Sequence, residues 1–220
     1  MHIGLIGGIG PAATDFYYRQ IIEQAAAMGH ALDLTMVHAD TTTLLSNMAE
    51  NRVADQCAIY HRLADRLKSA GAQCVVVTSI SGHFCIDEFA EDACLPVIDL
   101  TKILSDWLHK NGFTTVGILG TDTVMASGMF GKLAPVTVVA PQGEALSQVH
   151  DAYVALARSG KPTAQARDVF ERAALAMEKA GAQGILLGGT DLNVMFDGTD
   201  TPFAVIDCAR LHIDALMAQI

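Results

Sequence analysis

The chain has 220 residues with 24 acidic and 14 basic side chains, a formal net charge of −10, and 51% apolar against 17% charged residues. That apolar content excludes intrinsic disorder. The acidic balance argues against nucleic acid, whose phosphates need clustered Lys and Arg, and against an anionic membrane surface.

No apolar run reaches the roughly 18 to 20 residues that span a bilayer. The opening MHIGLIGGIG lacks a basic n-region, so neither a signal peptide nor a membrane partner is expected. The five cysteines (Cys57, Cys74, Cys85, Cys94, Cys208) form no CxxC pair. They read as reduced, mostly buried thiols of a cytoplasmic protein.

In chain order, the opening run predicts a strand over His2–Ile6, the turn Gly7-Gly8-Ile9-Gly10-Pro11, and a helix over Pro11–Met28 with Pro11 as its first residue. A strand over Leu34–His38 leads into Ala39-Asp40-Thr41-Thr42-Thr43, and a helix covers Asn51–Ala70. The strand Cys74–Thr78 ends in Ser79-Ile80-Ser81-Gly82-His83, followed by a helix over His83–Glu91, a strand over Pro96–Ile98 and a helix over Leu100–Lys110. Next come a strand over Thr115–Leu119, the turn Gly120-Thr121-Asp122-Thr123, a helix over Ala126–Leu133 and a strand over Val136–Val139. Helices over Ala145–Ser159 and Thr163–Ala180 precede a strand over Gly184–Leu187 and the turn Gly188-Gly189-Thr190-Asp191. A strand over Phe203–Ile206 and a helix over Cys208–Gln219 close the chain.

This order repeats itself. AGAQCVVVTS (Ala70 to Ser79) matches AGAQGILLGG (Ala180 to Gly189) at an offset of 110 residues, half the chain length. IGLIG (Ile3 to Gly7) matches VGILG (Val116 to Gly120), and VID recurs at Val97 and Val205. Strand–helix alternation with continuous apolar strands means parallel α/β units covered on both faces. Together with the repeat it predicts two similar Rossmann-like lobes.

Ligands of such sheets sit at the carboxyl ends of the strands. The small residues there, Gly7, Gly8 and Gly10 among them, offer backbone N–H groups at helix starts, which favour a carboxylate or phosphate. Thr14, Ser81, Thr121, Thr123 and Thr190 add hydroxyls, although each is also an ordinary helix cap. Gly8-x-Gly10-x-x-Ala13 fits a loose dinucleotide fingerprint, but Pro11 lies inside it and the second copy lacks the glycines, so no nucleotide cofactor is expected. His83 is a candidate acid–base group, with a backbone-bonded helix-start histidine as the plainer reading. The eight histidines show no metal-ligand spacing with one another or with the cysteines, so no metal is expected.

Several segments resemble the aspartate/glutamate racemase superfamily of cofactor-independent racemases. IGLIGGIGPAAT resembles its first strand and Gly-rich turn, and VVVTSISGH (Val75 to His83) its third strand, which normally continues Cys-Asn-Thr-Ala-His. ILLGGTDL (Ile185 to Leu192) resembles its second signature, Gly-Cys-Thr-Glu, and ILGTDTVMASGMF (Ile118 to Phe130) its mid-chain strand and helix.

The resemblance implies two α/β lobes related by a pseudo-twofold, residues 1–99 with 208–220 and residues 100–207, and an active-site cleft between them. It implies a small carboxylate or amino acid as ligand, no cofactor, and a fold that often forms homodimers. It also implies two thiols, one per lobe, that move the α-proton between opposite faces of the substrate. In this sequence those positions are Ser79 and Gly189. Serine is a far weaker acid than cysteine and needs a neighbouring base, and glycine has no side chain to carry a proton.

The candidate site is therefore Ser79, Gly189, His83 and Asp191 for chemistry. Gly7, Gly8, Gly10, Asp40, Thr41, Ile80, Ser81, Thr121, Thr123 and Thr190 are the candidates for binding. Three readings stay open: an isomerase of the racemase class, a decarboxylase or isomerase with altered proton-transfer residues, and a non-catalytic carboxylate-binding homologue.

Overall fold

The computed structural model describes residues 1–8 and 10–220; Ile9 of the first turn lies outside the described residues. The chain divides into two compact units, Met1–Asp99 with His212–Ile220, and Leu100–Leu211. Each unit carries a parallel four-stranded sheet flanked by helices.

In the first unit the strands are β1 (His2–Gly7), β2 (Asp33–His38), β3 (Cys74–Val77) and β4 (Val97–Ile98), in the order β2-β1-β3-β4. β1 pairs with both β2 and β3, so Ile3 faces Leu34 on one side and Cys74 on the other. The central strands are buried on both faces, whereas β2, an edge strand, has only exposed and half-buried residues.

Helix α1 (Pro11–Met28) starts at Pro11, whose missing N–H costs nothing there, and stops where Gly29 takes the left-handed conformation. Its buried side chains Ala13, Thr14, Tyr17, Ile21 and Ala25 follow helical spacing and form one stripe. Helix α2 (Thr41–Ala49), which the sequence reading left as a turn, is capped by the Asp40 carboxylate. Helix α3 (Val53–Ser69) covers the sheet, and Tyr60, Leu63 and Leu67 pack with Val75, Val77 and Phe89 in the core. A 3-10 turn (Ser81–Cys85) leads into α4 (Ile86–Asp92), so the helix predicted from His83 begins three residues late.

The second unit holds α5 (Leu100–Lys110), β5 (Thr115–Leu119), α6 (Asp122–Ala126), β6 (Thr137–Val139), α7 (Glu144–Ser159), α8 (Ala164–Lys179), β7 (Ile185–Leu187) and β8 (Val205–Ile206). Its order, β6-β5-β7-β8, matches that of the first sheet. A 3-10 turn (Thr190–Leu192) and α9 (Asn193–Phe196) follow β7, and α10 (Cys208–Met217) carries the chain back to the first unit.

The helix predicted over Ala126–Leu133 is absent. α6 ends at Ala126, and Gly128, Met129, Phe130 and Gly131 all have positive φ, which no α-helix tolerates. The apolar spacing there buries Met129 and Leu133 from a chain of turns instead. Among the described residues, no helix is long and apolar enough to cross a membrane.

Candidate functional site

At the carboxyl end of β1 the backbone makes a tight bend. Gly8 has φ of +95°, and a Cβ there would sit 2.3 Å from His38 Nδ1 and 2.6 Å from the Ala39 carbonyl oxygen. Only glycine fits both restrictions. The Gly8 N–H donates to Thr14 Oγ1 (3.0 Å), and Thr14 donates to the Gly10 carbonyl (3.0 Å). Thr41 Oγ1 donates to the Gly8 carbonyl (2.5 Å).

The Asp40 carboxylate accepts from the Thr43 hydroxyl (2.6 Å) and the Thr43 N–H (2.7 Å), and these two bonds hold its pKa below the usual carboxylate value. Gly8, Thr14 and Thr41 thus lock this corner through one another, and Asp40 caps the helix that follows. The hydroxyl of Thr14 also meets that of Thr78 (3.1 Å), which ties the first turn to the end of β3.

Beyond β3 lies a buried group: Ser79, Ile80, Ser81 and His83. His83 Nδ1 lies 2.7 Å from the Ser79 carbonyl oxygen. A carbonyl only accepts, so Nδ1 carries a proton. This His83 bond is to the backbone of Ser79. Tyr60 fixes the same turn from α3 by donating to the Gly82 carbonyl (3.0 Å).

Against His83 packs the ring of His212, at 5.9 Å between centroids and 75° between planes. His212 Nε2 donates to the Ile98 carbonyl (2.7 Å), leaving Nδ1 to accept from the Tyr17 hydroxyl (2.8 Å). Burial, reinforced by the charge of His83, lowers the His212 pKa to about 3.

In the second unit Thr121 caps α6 by accepting from the Val124 N–H (3.3 Å), and Thr123 bonds to the Asp122 carboxylate. The ends of β5 and β7 touch, since a Cβ at Gly120 would lie 2.8 Å from the Gly188 carbonyl oxygen. Gly189 sits directly under the ring of Tyr153 from α7. A Cβ at position 189 would be 2.1 Å from Cε2 and 2.5 Å from Cζ of that ring. The Tyr153 hydroxyl donates to Asp191 Oδ2 (3.0 Å), and both residues are buried. Burial, and then the charge of Asp191, push the phenol pKa well above 10. Asn193 is 1% exposed, and neither polar atom of its amide has a hydrogen-bond partner among the described residues.

The structure thus gathers Gly7, Gly8, Asp40, Thr41, Ser79, Ile80, Ser81 and His83 at the strand ends of one sheet. Thr121, Thr123, Gly189, Thr190 and Asp191 lie at the strand ends of the other. Sequence reasoning missed Tyr153, His212, Tyr17 and Asn193. Tyr153 and His212 lie far along the chain from the turns they touch, and only Asn193 carried a local signal, at the repeat offset of 110 from His83.

No cysteine stands at position 79 or 189, although Cys85 ends the turn that holds His83. Cys57, Cys74, Cys85 and Cys208 are buried and Cys94 is half-buried, all unbridged. Burial raises the pKa of each one. Cys74 begins β3, the opposite end from Ser79. Among the described residues, no group of three His, Cys, Asp or Glu side chains is placed to hold a metal.

Comparison with known proteins agrees with this architecture. A solved structure from Yersinia pestis, provisionally classed as an Asp/Glu racemase, is 25% identical, with TM-score 0.85 over 100% of this chain and 99% of that chain. An aspartate racemase homologue from Pyrococcus horikoshii (23% identity, TM-score 0.80, 99% and 98% covered) has the same fold. So does the aspartate racemase of Picrophilus torridus (21%, TM-score 0.81, 100% and 94%). The sequence model described as Asp/Glu/Hydantoin racemase matches residues 6–216. The chain belongs to the Asp/Glu/Hydantoin racemase family.

Proposed function

We propose that this protein binds a small carboxylate or amino acid at its strand-end turns and exchanges the hydrogen next to the carboxylate without a thiol, as a cofactor-independent isomerase-class member of its family. One observation carries the reading. The ends of β3 and β7 hold Ser79 with His83 and Tyr153 with Asp191, while no cysteine stands at position 79 or 189 and burial raises the pKa of the Cys85 thiol in the same turn as His83. His83 is the base of this scheme. In this scheme Nδ1 stays bonded to the Ser79 carbonyl and Nε2 takes the proton. The C–H bond breaks, its electron pair moves into the carboxylate, and an N–H bond forms. The hydroxyls of Ser79 and Ser81 serve as donors to the carboxylate oxygens. Acidic amino acids head the substrate panel because aspartate racemases are among the relatives named above. The five unbridged cysteines support a reducing, cytoplasmic setting.

The test is proton NMR in deuterated water over amino acids and dicarboxylic acids. Loss of an α-proton signal with the parent protein, and its collapse in His83→Gln, is expected. Persistence of every α-proton across the panel refutes the reading.

A second reading, a binding protein without chemistry, is favoured by the bond between His83 Nδ1 and the Ser79 backbone carbonyl, a structural role for the ring. Thermal stabilisation by a panel member that exchanges no deuterium establishes it.

A further inference from the structure

We propose that Asn193 is a specificity-determining residue whose amide reads the ammonium and carboxylate of an amino acid together and turns away the same acid without its amino group. The inference rests on the proposed function in taking the ligand to bind at the turn after β7, and it concerns the second unit alone. Asn193 is 1% exposed, and neither Nδ2 nor Oδ1 has a hydrogen-bond partner among the described residues. Buried polar groups are almost always paired, because one left unpaired forfeits the bond it made to water. Two such atoms on one side chain are a standing cost to the fold.

No local structural duty accounts for this amide. The Asn193 N–H donates to the Thr190 carbonyl, and the Asn193 carbonyl accepts from the Asp197 N–H (2.8 Å). Its side chain caps neither the 3-10 turn nor α9. The repeat sets Asn193 110 residues after His83, and the two turns share a backbone bond. The Ser79 carbonyl accepts from the Gly82 N–H (3.1 Å) and the Gly189 carbonyl from the Leu192 N–H (2.9 Å). They differ in the side chain that follows: His83 adds a bond to the Ser79 carbonyl, and Asn193 adds none. Thr190 and Asp191 are buried too, so three buried polar side chains stand within four residues at the carboxyl end of β7, where ligands of parallel sheets bind.

The chemistry of the amide names what it takes. A carboxamide stays neutral, so this residue holds a ligand and moves no proton. It presents two N–H donors and a carbonyl acceptor in one plane. The carboxylate of an amino acid accepts from Nδ2 and its ammonium donates to Oδ1, which satisfies both orphaned atoms at once. A dicarboxylate without the amino group pairs with Nδ2 alone and sets its own oxygens against Oδ1. Sites built on buried polar groups reject the analogue that leaves one unpaired. Both atoms are sealed from solvent, so the ligand meets them when the turn shifts, and the bonds gained favour the shifted state.

The experiment measures binding by calorimetry of two matched pairs, aspartate with succinate and glutamate with glutarate, the amino acids in both L and D forms. The proteins are the parent, Asn193→Leu and Asn193→Ala, and the Tm of each is measured without ligand. The parent is expected to bind an amino acid of one pair roughly 10-fold or more tighter than its deaminated analogue. Each variant is expected to weaken that amino acid roughly 10-fold while the analogue changes by less than about 3-fold, whereas a residue that only shapes the turn would weaken both alike. Equal parent affinities within each pair, or variants that leave the preference intact, overturn the inference.

A parent that binds no member of either pair counts against the proposed function instead, and the Tm values then decide the inference. Asn193→Leu puts an apolar group of similar shape in place of the amide. It is expected to raise Tm by roughly 3 °C, because the unpaired donor and acceptor are gone. Asn193→Ala is the smaller variant should Leu prove too bulky to fold. A Tm at or above that of the parent in either variant upholds an amide kept against stability. A Tm below the parent in both shows an amide already bonded within the fold and overturns the inference.

Discussion

Protonation of His212 offers a quantitative test of the buried cluster beside His83. In the folded protein this imidazole donates to the Ile98 carbonyl, accepts from Tyr17, faces the ring of His83, and titrates near pH 3. In the unfolded chain a histidine titrates near pH 6.5. The unfolded state therefore binds the proton first. Stability is at its full value above about pH 6.5, falls as pH drops, and stops falling on this account near pH 3. Between pH 7 and pH 5 the unfolded histidine goes from about a quarter to almost fully protonated while the folded one stays neutral. The folding equilibrium constant then drops roughly 25-fold, about 2 kcal/mol.

His212→Gln retains a donor and an acceptor but does not titrate. Urea unfolding of parent and variant at pH 7 and pH 5 isolates the contribution as the difference between their two pH responses. Asp207, whose pKa burial raises, acts in both proteins and cancels. Equal pH responses, or a His212 ring resonance that titrates near pH 6.5 in the folded protein, refute the reasoning.

Two further outcomes test other parts of the structure. Gly120→Ala is expected to lose about 1–3 kcal/mol, because its Cβ meets the Gly188 backbone, which has no flexible end to yield; chemical denaturation within error of the parent shows that the strand ends do not touch as described. Alkylation at neutral pH is expected to modify Cys94 first, leaving the four buried thiols unlabelled until the chain is unfolded. Mass spectrometry reads the order, and loss of α-hydrogen exchange on Cys94 labelling contradicts thiol-free chemistry.

Helix limits were legible where local chemistry marks them. Pro11 at a first turn and Gly29 beyond a last turn bracket α1, and both ends agree with the sequence reading. They were illegible where the marks conflict. The Thr41–Thr43 run has low helix propensity and reads as a turn, yet Asp40 caps a nine-residue helix there. Met129, Phe130 and Leu133 look helical by spacing, and the glycines between them decide for turns. Among the candidate hydroxyls, Thr14, Thr41, Thr121 and Thr123 each make a bond within their own turn or corner.

By itself the sequence determined the α/β class, the strand-to-helix alternation and which turns lie at strand ends, because hydrophobic period, Gly and Pro act within a few residues of where they stand. It also placed Ser79 and Gly189 where the family resemblance implies thiols, since the identity of a residue needs no fold to be read. Only the tertiary structure decided what fills those positions. Tyr153 reaches Gly189 across 36 residues of chain, and His212 reaches His83 across 129. Such contacts follow from how helices lie on a sheet, and no local pattern in the chain encodes them.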